Sequence, residues 1–275
     1  MLELPESFVI ANQLNETILG KRILESQFHT WPHKFTFYFN DYMMYAPLLK
    51  DKIVEHISSI GGNVEIEFGD VHMVLGDGLN IRYCEEEGKL PPKHQLLLRF
   101  TDGSFLAGST QMYAVIQVFF EGENTSHYYT YAKEKPSPLT DEFNMKYFEK
   151  MFQDAKKNLS AKAFLATEQR IPGLGNGVLQ DILFNAKLNP RTKLSHITGE
   201  ELGDLYESIK STLKEMAEKG GRDTEKDIFG HKGAYQTILS SKTIKEPCQI
   251  CGNWITKQAY LGGSVYYCPK CQPVI

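Results

Sequence analysis

The residues best equipped for chemistry in this 275-residue chain are four cysteines near its C-terminus. Cys248 and Cys251 form one Cys-x-x-Cys pair, and Cys268 and Cys271 form another after 16 intervening residues. Each pair can sit on its own tight turn and offer two thiolates, so the spacing predicts a tetrahedral Zn²⁺ site. Four protein ligands leave no open coordination position, and the metal is therefore expected to be structural. Gly252 suits the turn after the first pair, and Trp254, Ile255 and Val265-Tyr266-Tyr267 read as two strands of a hairpin between the pairs. A redox dithiol is the competing use of such a motif. Cys84 stands alone and is expected to be a buried thiol.

A second candidate is the turn Ile171-Pro172-Gly173-Leu174-Gly175-Asn176-Gly177. It precedes a helix predicted from Val178 to Leu188, with Val178, Leu179, Ile182, Leu183 and Ala186 on one face and Pro190 beyond its end. Glycines permit close backbone approach, Asn176 is placed to cap the helix, and a helix start can receive a phosphate. A plain glycine-rich helix start fits the same residues. A third candidate is the acidic pair Glu3 and Glu6. Pro5 and Glu6 suit a first helical turn, Ile10, Leu14 and Ile18 recur at i, i+4, i+8, and Gly20 can end that helix.

The elements around these candidates change character along the chain. Phe35, Phe37 and Phe39 alternate, as do Val64, Ile66 and Phe68, and Val71, Met73 and Leu75. Asp77-Gly78 is expected to separate that last run from the next strand, at residues 79–83. Residues 96–100 lead into Asp102-Gly103, a hairpin signal, and residues 112–120 read as a buried strand. Residues 133–140 (KEKPSPLT) form a linker signal. Beyond it Leu202, Leu205, Ile209, Leu213 and Met216 mark an amphipathic helix stopped by Gly220-Gly221. The expected architecture is α+β and multidomain. An N-terminal helix and antiparallel β-sandwich or barrel span 1–132, a helical domain spans 133–240, and a four-cysteine finger spans 241–275.

The formal charge of −4 is unevenly spread. Residues 1–145 hold 11 Lys/Arg against 20 Asp/Glu, whereas residues 146–275 hold 19 against 14. Phosphate binding is expected mainly in the second, basic half. No apolar run approaches the ~20 residues of a membrane helix. The opening MLELPESFVI has no basic residue before its apolar stretch, which is unlike a secretory signal, and the chain reads as cytoplasmic.

Three features fall in order: MLELPE at the start, IPGLGNGVLQDILFNAKLNP in the middle and PCQICG…YYCPKCQ at the end. Together, over nearly the whole chain, they resemble the formamidopyrimidine-DNA glycosylase/endonuclease VIII family. That resemblance implies a β-sandwich, a helix–two-turn–helix module and a zinc finger. It also implies a monomer that binds damaged or abasic double-stranded DNA in base excision repair, removes oxidised bases and cuts at the abasic site. In the family an N-terminal proline attacks the sugar C1′ to form a Schiff base. Leu2 stands at that position, and a bulky second residue is expected to leave Met1 in place, so the available amine is primary and displaced by one residue. Glu3 matches the family's catalytic acid and Glu6 the second acid of the motif. Asn176, with Gly175 beside it, matches the residue that contacts backbone phosphate, and Lys162 in SAKAFLA matches a phosphate-binding lysine. The finger's arginine, five residues before the third cysteine, is Gly263. The segment that fills the gap left by an extruded base corresponds to residues 110–115. There Met112 or Tyr113 can wedge into the stack or, the competing placement, lie in a strand core. No lysine occurs at residues 61–63, where the family has one in a hairpin. The implied function is a glycosylase/AP lyase with altered or weak catalysis; the alternative is a catalytically inactive nucleic-acid-binding homologue.

Overall fold

The structure is a computed structural model and describes residues 1–274. Helix α1 (Leu4–Thr17) begins with Pro5 in its first turn, and the Glu6 carboxylate accepts a hydrogen bond from the Glu3 backbone N–H at 3.3 Å. Its apolar stripe divides between two cores. Ile10, Ala11 and Leu14 enter the core of a β-sheet, whereas Leu4 enters the core of the helical region. The N-terminus is therefore fixed at the junction of the two.

The sheet comprises β1 (Ile23–Phe28), β2 (Thr36–Phe37), β3 (His56–Ile60), β4 (Asn63–Phe68), β5 (Val71–Cys84), β6 (Leu96–Phe100) and β7 (Phe105–Phe120). Its order is β1-β6-β7-β5-β4-β3, all antiparallel, with β2 joining β7 in parallel. A short helix, α2 (Tyr45–Leu49), closes one end. Val64, Ile66 and Phe68 from β4 share one core with Leu96, Leu98 and Phe100 from β6, so the two ends of the sheet face each other across it, as in a sandwich.

Three sequence expectations change here. The Phe35–Phe37–Phe39 alternation yields only a two-residue strand, because β2 pairs β7 only at Ala114 and Val115. Asp77-Gly78 does not end a strand; β5 runs through it as a β-bulge, with Asp77 opposite Ala114 and Leu79 opposite Thr110. Residues 111–113 are thereby pushed out against Gly78, where an added Cβ would meet the Tyr113 carbonyl at 2.5 Å. Met112 and Tyr113 are consequently strand residues but not core residues: they are 59% and 44% exposed.

Helix α3 (His127–Glu134) absorbs the first two residues of the expected linker and covers the outer face of β4. There the fully buried Glu65 carboxylate accepts from Tyr129 Oη and from Lys133 Nζ at 2.6 Å, and lies 3.0 Å from His72 Nδ1. Glu65, Glu67 and His72 bring ligand-type atoms together, but the Lys133 ammonium already neutralises the site. Helices α4 (Met145–Asp154), α5 (Ala161–Ala166), α6 (Asn176–Asn185) and α7 (Gly199–Glu218) build the second core. Thr198 and Glu201 form a capping box at the start of α7, and its face of Leu202, Leu205, Ile209, Leu213 and Met216 is buried as the periodicity predicts. The finger is a hairpin of β8 (Thr256–Tyr260) and β9 (Gly263–Tyr267) lying on α6. Gln180 joins them, donating to the Ser264 carbonyl at 3.1 Å and accepting from the Tyr266 N–H at 3.1 Å. Among the described residues no helix is long and apolar enough to cross a membrane.

Candidate active site

The start of the chain is held at each successive backbone position. The Met1 ammonium pairs with Glu225, and the Met1 carbonyl accepts from Arg222 Nη2 at 3.4 Å. The Leu2 N–H donates to the Asp77 carbonyl at 2.6 Å, and the Leu4 N–H donates to the Gly173 carbonyl at 3.0 Å. The Leu2 side chain is buried in the sheet core. Position 2 thus supplies a backbone hydrogen-bond donor and an apolar anchor, and its nitrogen is a peptide nitrogen rather than an amine.

Glu3 is 5% exposed and reaches across to the glycine turn. Its Oε1 accepts from the Gly177 N–H at 2.9 Å and its Oε2 from the Val178 N–H at 2.8 Å. This remote carboxylate, not Asn176, satisfies the first N–H groups of α6; Gly175 is the N-cap residue and Asn176 the first helical one. The position that could have received a phosphate at this helix start is taken by Glu3. The glycines are shaped by the same contact. A Cβ on Gly175 would lie 2.5 Å from Glu3 Oε1, and Gly173, at φ +78°, packs its backbone on Gly61 and Gly62.

Arg222 completes the cluster at 3% exposure. It forks onto Glu6, with Nε to Oε1 at 2.9 Å and Nη2 to Oε2 at 2.7 Å, while Nη1 lies 3.5 Å from Glu3 Oε2. Burial pushes the Glu3 carboxyl above its usual range, against the opposing pull of Arg222 and the two backbone N–H groups. Burial also works against charge on Arg222, but the Glu3 and Glu6 carboxylates outweigh it and raise its pKa. Glu6 is therefore a partner of Arg222 beneath the site. Glu3, by contrast, lines a cleft of about 580 Å³ together with Met1, Asp77, Phe37, Tyr129 and Gly173. An α-amine beside a carboxyl with a raised pKa can support imine formation and acid–base chemistry on a carbonyl carbon.

The remaining polar candidates gather at the finger. Lys162 is 4% exposed, and its Nζ donates to the Tyr260 carbonyl at 2.7 Å. The exposed Asn176 donates from Nδ2 to the Ser264 carbonyl at 2.8 Å. A Cβ on Gly263 would lie 3.6 Å from both head groups, so the hairpin turn, the buried Lys162 and the exposed Asn176 pack together. No arginine projects from this turn and no lysine stands at residues 61–63. Met112 and Tyr113 lie against Gly78 at the bulge, with the Tyr113 ring 5.3 Å from that of Phe35.

The four finger cysteines converge. Their sulfurs all lie within 4.8 Å of one another, with Cys248–Cys271 at 3.8 Å and Cys251–Cys268 at 3.4 Å. Tetrahedral bonds of ~2.3 Å need sulfurs roughly 3.8 Å apart, so these residues suit a four-thiolate metal site. Gly252, at φ +72°, donates its N–H to the Cys248 carbonyl at 2.8 Å in the first turn. Cys84 is buried away from the cluster, 7% exposed.

A β-sandwich and a helical core joined by a buried Glu–Arg–Glu cluster, with a four-cysteine finger at the C-terminal end, define a class in which the N-terminus sits at the domain junction. Residues 135–227 match the family model described as the formamidopyrimidine-DNA glycosylase H2TH domain. The chain is 29% identical over 278 residues to the formamidopyrimidine-DNA glycosylase of Cytobacillus firmus, covering 99% of this chain and 100% of that one. It is 27% identical over 280 residues to the enzyme of that name from Wolbachia pipientis wMel, again covering 99% and 100%. The fold matches Lactococcus lactis Fpg in complex with abasic-site DNA at a TM-score of 0.83 and 23% identity, over 98% and 99% of the two chains. It matches MutM (Fpg) from Thermus thermophilus at a TM-score of 0.81 and 20% identity, over 99% of each. The family model, the full-length relatives and the fold together support membership of the formamidopyrimidine-DNA glycosylase/endonuclease VIII family.

Three site residues escaped sequence reasoning. Arg222 follows Gly220-Gly221, a pair readable only as a helix stop, and its link to Glu6 spans 216 positions. Glu225 carries no motif. Asp77 looked like a turn residue because Asp-Gly pairs ordinarily mark turns.

Proposed function

We propose that the chain is a base-excision-repair glycosylase that binds damaged or abasic double-stranded DNA and whose reaction uses the Met1 α-amine in place of a ring amine. The observation that carries this reading is the docked N-terminus beside the buried Glu3 in the interdomain cleft. Met1 supplies the primary amine that attacks C1′, and Glu3 is the carboxyl that moves a proton at the sugar. The amine lies one residue from the family's position, and a displacement of ~1 Å can already cost about a hundredfold; the reaction is accordingly slow or altered. Lys162 and Asn176 contact the DNA backbone through their free donors, with Gly175 shaping the turn between them. The four finger cysteines hold a structural Zn²⁺. The units that perform these roles are residues 1–132, 133–240 and 241–275.

A specific observation favours a second reading, a nucleic-acid-binding homologue without catalysis. Lys162 and Asn176 each spend a donor on a finger carbonyl, and the cations expected at residues 61–63 and 263 are absent. Two measurements separate the readings. Intact mass tells whether Met1 is present on the mature chain. Incubation with abasic-site duplex and borohydride then yields a covalent adduct under the first reading and none under the second. Failure to bind the duplex at low salt contradicts both.

A further inference from the structure

A chain terminus ordinarily frays, but here Met1, Leu2 and Leu4 are all tied to distant segments. Five charged side chains surround that anchored start: Glu3 and Glu6 from the N-terminal segment, Asp77 from β5, and Arg222 and Glu225 from the segment after α7. Four are committed. Glu3 accepts from Gly177 and Val178, Glu6 and Arg222 pair with each other, and Glu225 holds the Met1 ammonium. Asp77 is the exception among these five. Its backbone carbonyl fixes Leu2, yet among the described residues its carboxylate has no hydrogen-bond or ion-pair partner, and it lines the same cleft as Met1 and Glu3. It stands at φ +56° in the β-bulge, a left-handed conformation unfavourable for a residue with a side chain and common where function requires it. The bulge is locked from the far side, since Gly78 leaves no room for a Cβ against Tyr113.

The geometry points to Asp77 as the acid–base group that serves the Met1 amine. This inference rests on the reading above, in which that amine attacks C1′ of an abasic sugar. Asp77 takes one proton from the ammonium, and the freed lone pair forms the N–C1′ bond as the carbonyl π electrons move to oxygen. The oxygen takes that proton back, and a second nitrogen proton reaches it by the same route. The C–O bond then breaks, water leaves with both protons, and a protonated imine remains, so the single positive charge is conserved. Burial in the cleft pushes the Asp77 carboxyl above its usual range, with the N-terminal ammonium opposing it. A carboxylate of raised basicity is the better proton acceptor. Glu225 acts differently, as the positioning residue that keeps the amine at the cleft.

The test compares the full-length wild type with Asp77→Asn and Asp77→Glu in single-turnover borohydride trapping on an abasic-site duplex, across pH. DNA affinity and melting temperature are measured alongside. Asp77→Asn is expected to slow adduct formation by about a hundredfold at unchanged affinity and melting temperature, and Asp77→Glu to restore part of the rate. The wild-type rate falls as pH drops through the Asp77 ionisation, and Asp77→Asn lacks that limb. An Asn variant with wild-type rate and pH profile overturns the inference. So does one whose affinity or melting temperature falls with its rate, because the role is then structural. A wild type that forms no adduct overturns the proposed reaction itself, a result visible before any variant is compared.

Discussion

Arg222 lies between two carboxylates that, without it, would be buried and unpaired. Breaking such a cluster by removing one partner is far more damaging than the pair is stabilising, because the remaining charges cannot regain water. Arg222→Met is therefore expected to lower unfolding free energy by about 3–5 kcal/mol in urea titration. Replacing Glu3 separates two roles. Glu3→Gln keeps one oxygen acceptor for the N–H groups of α6 but no longer exchanges a proton. Its adduct yield should fall about a hundredfold while duplex affinity stays within a few fold. The roles of these residues were unequally legible. Glu3 stood out because it belongs to a local, ordered motif at the chain start. Arg222 and Glu225 did not, since their meaning comes only from contacts across more than two hundred positions. Glu6 illustrates the same point: in sequence it reads as the second acid of a motif with Glu3, whereas its partner in space is Arg222.

Helix α6 organises three elements at once: Glu3 caps its start, the finger hairpin lies on Gln180, and Asp181 holds the approach to the finger. The Asp181 carboxylate accepts from the Ile238 and Leu239 N–H groups at 2.9 and 2.8 Å. Burial pushes it up to about 6 from an ordinary 3.8, against those hydrogen bonds. A carboxyl raised in the folded state favours folding fully below about pH 4, and that contribution is lost as pH rises through about 6. The difference amounts to about 3 kcal/mol, so Asp181→Asn should flatten the decline in stability between those pH values relative to wild type. Metal removal tests the finger. The purified chain should carry one zinc by elemental analysis, and chelation should raise amide exchange in β8 and β9 while leaving β4 and β5 protected. Metal content at background in freshly purified protein contradicts that assignment. Elements with a clean period, α7 and β4 among them, were readable because burial on one face dictates the spacing. The bulge in β5 was not. Asp-Gly is a turn signal locally, and only the pairing with β7 shows that the strand continues.

Across the whole molecule, the division into an acidic first half and a basic second half places the expected phosphate contacts on the helical region and finger. Such contacts are expected to be few, since Lys162 and Asn176 already donate to finger carbonyls and the finger turn carries glycine. Duplex affinity should accordingly fall only about tenfold between ~50 and ~200 mM salt, the loss expected for about two neutralised phosphates. A much steeper slope would mean that the cations lie elsewhere. The multidomain plan was legible because each part has its own pattern: alternation, then helical period, then paired cysteines. The placement of α1 between two cores was not, because its stripe shows only that it is buried and not against what. That placement brings the N-terminal amine to the cleft, and the proposed reaction depends on it. Borohydride trapping on abasic-site duplex, followed by tandem mass spectrometry of the adduct, locates the attacking nitrogen. A sugar-derived mass on the α-nitrogen of Met1 is the expected result. An adduct on a lysine side chain, or none at saturating protein, contradicts the role given to Met1.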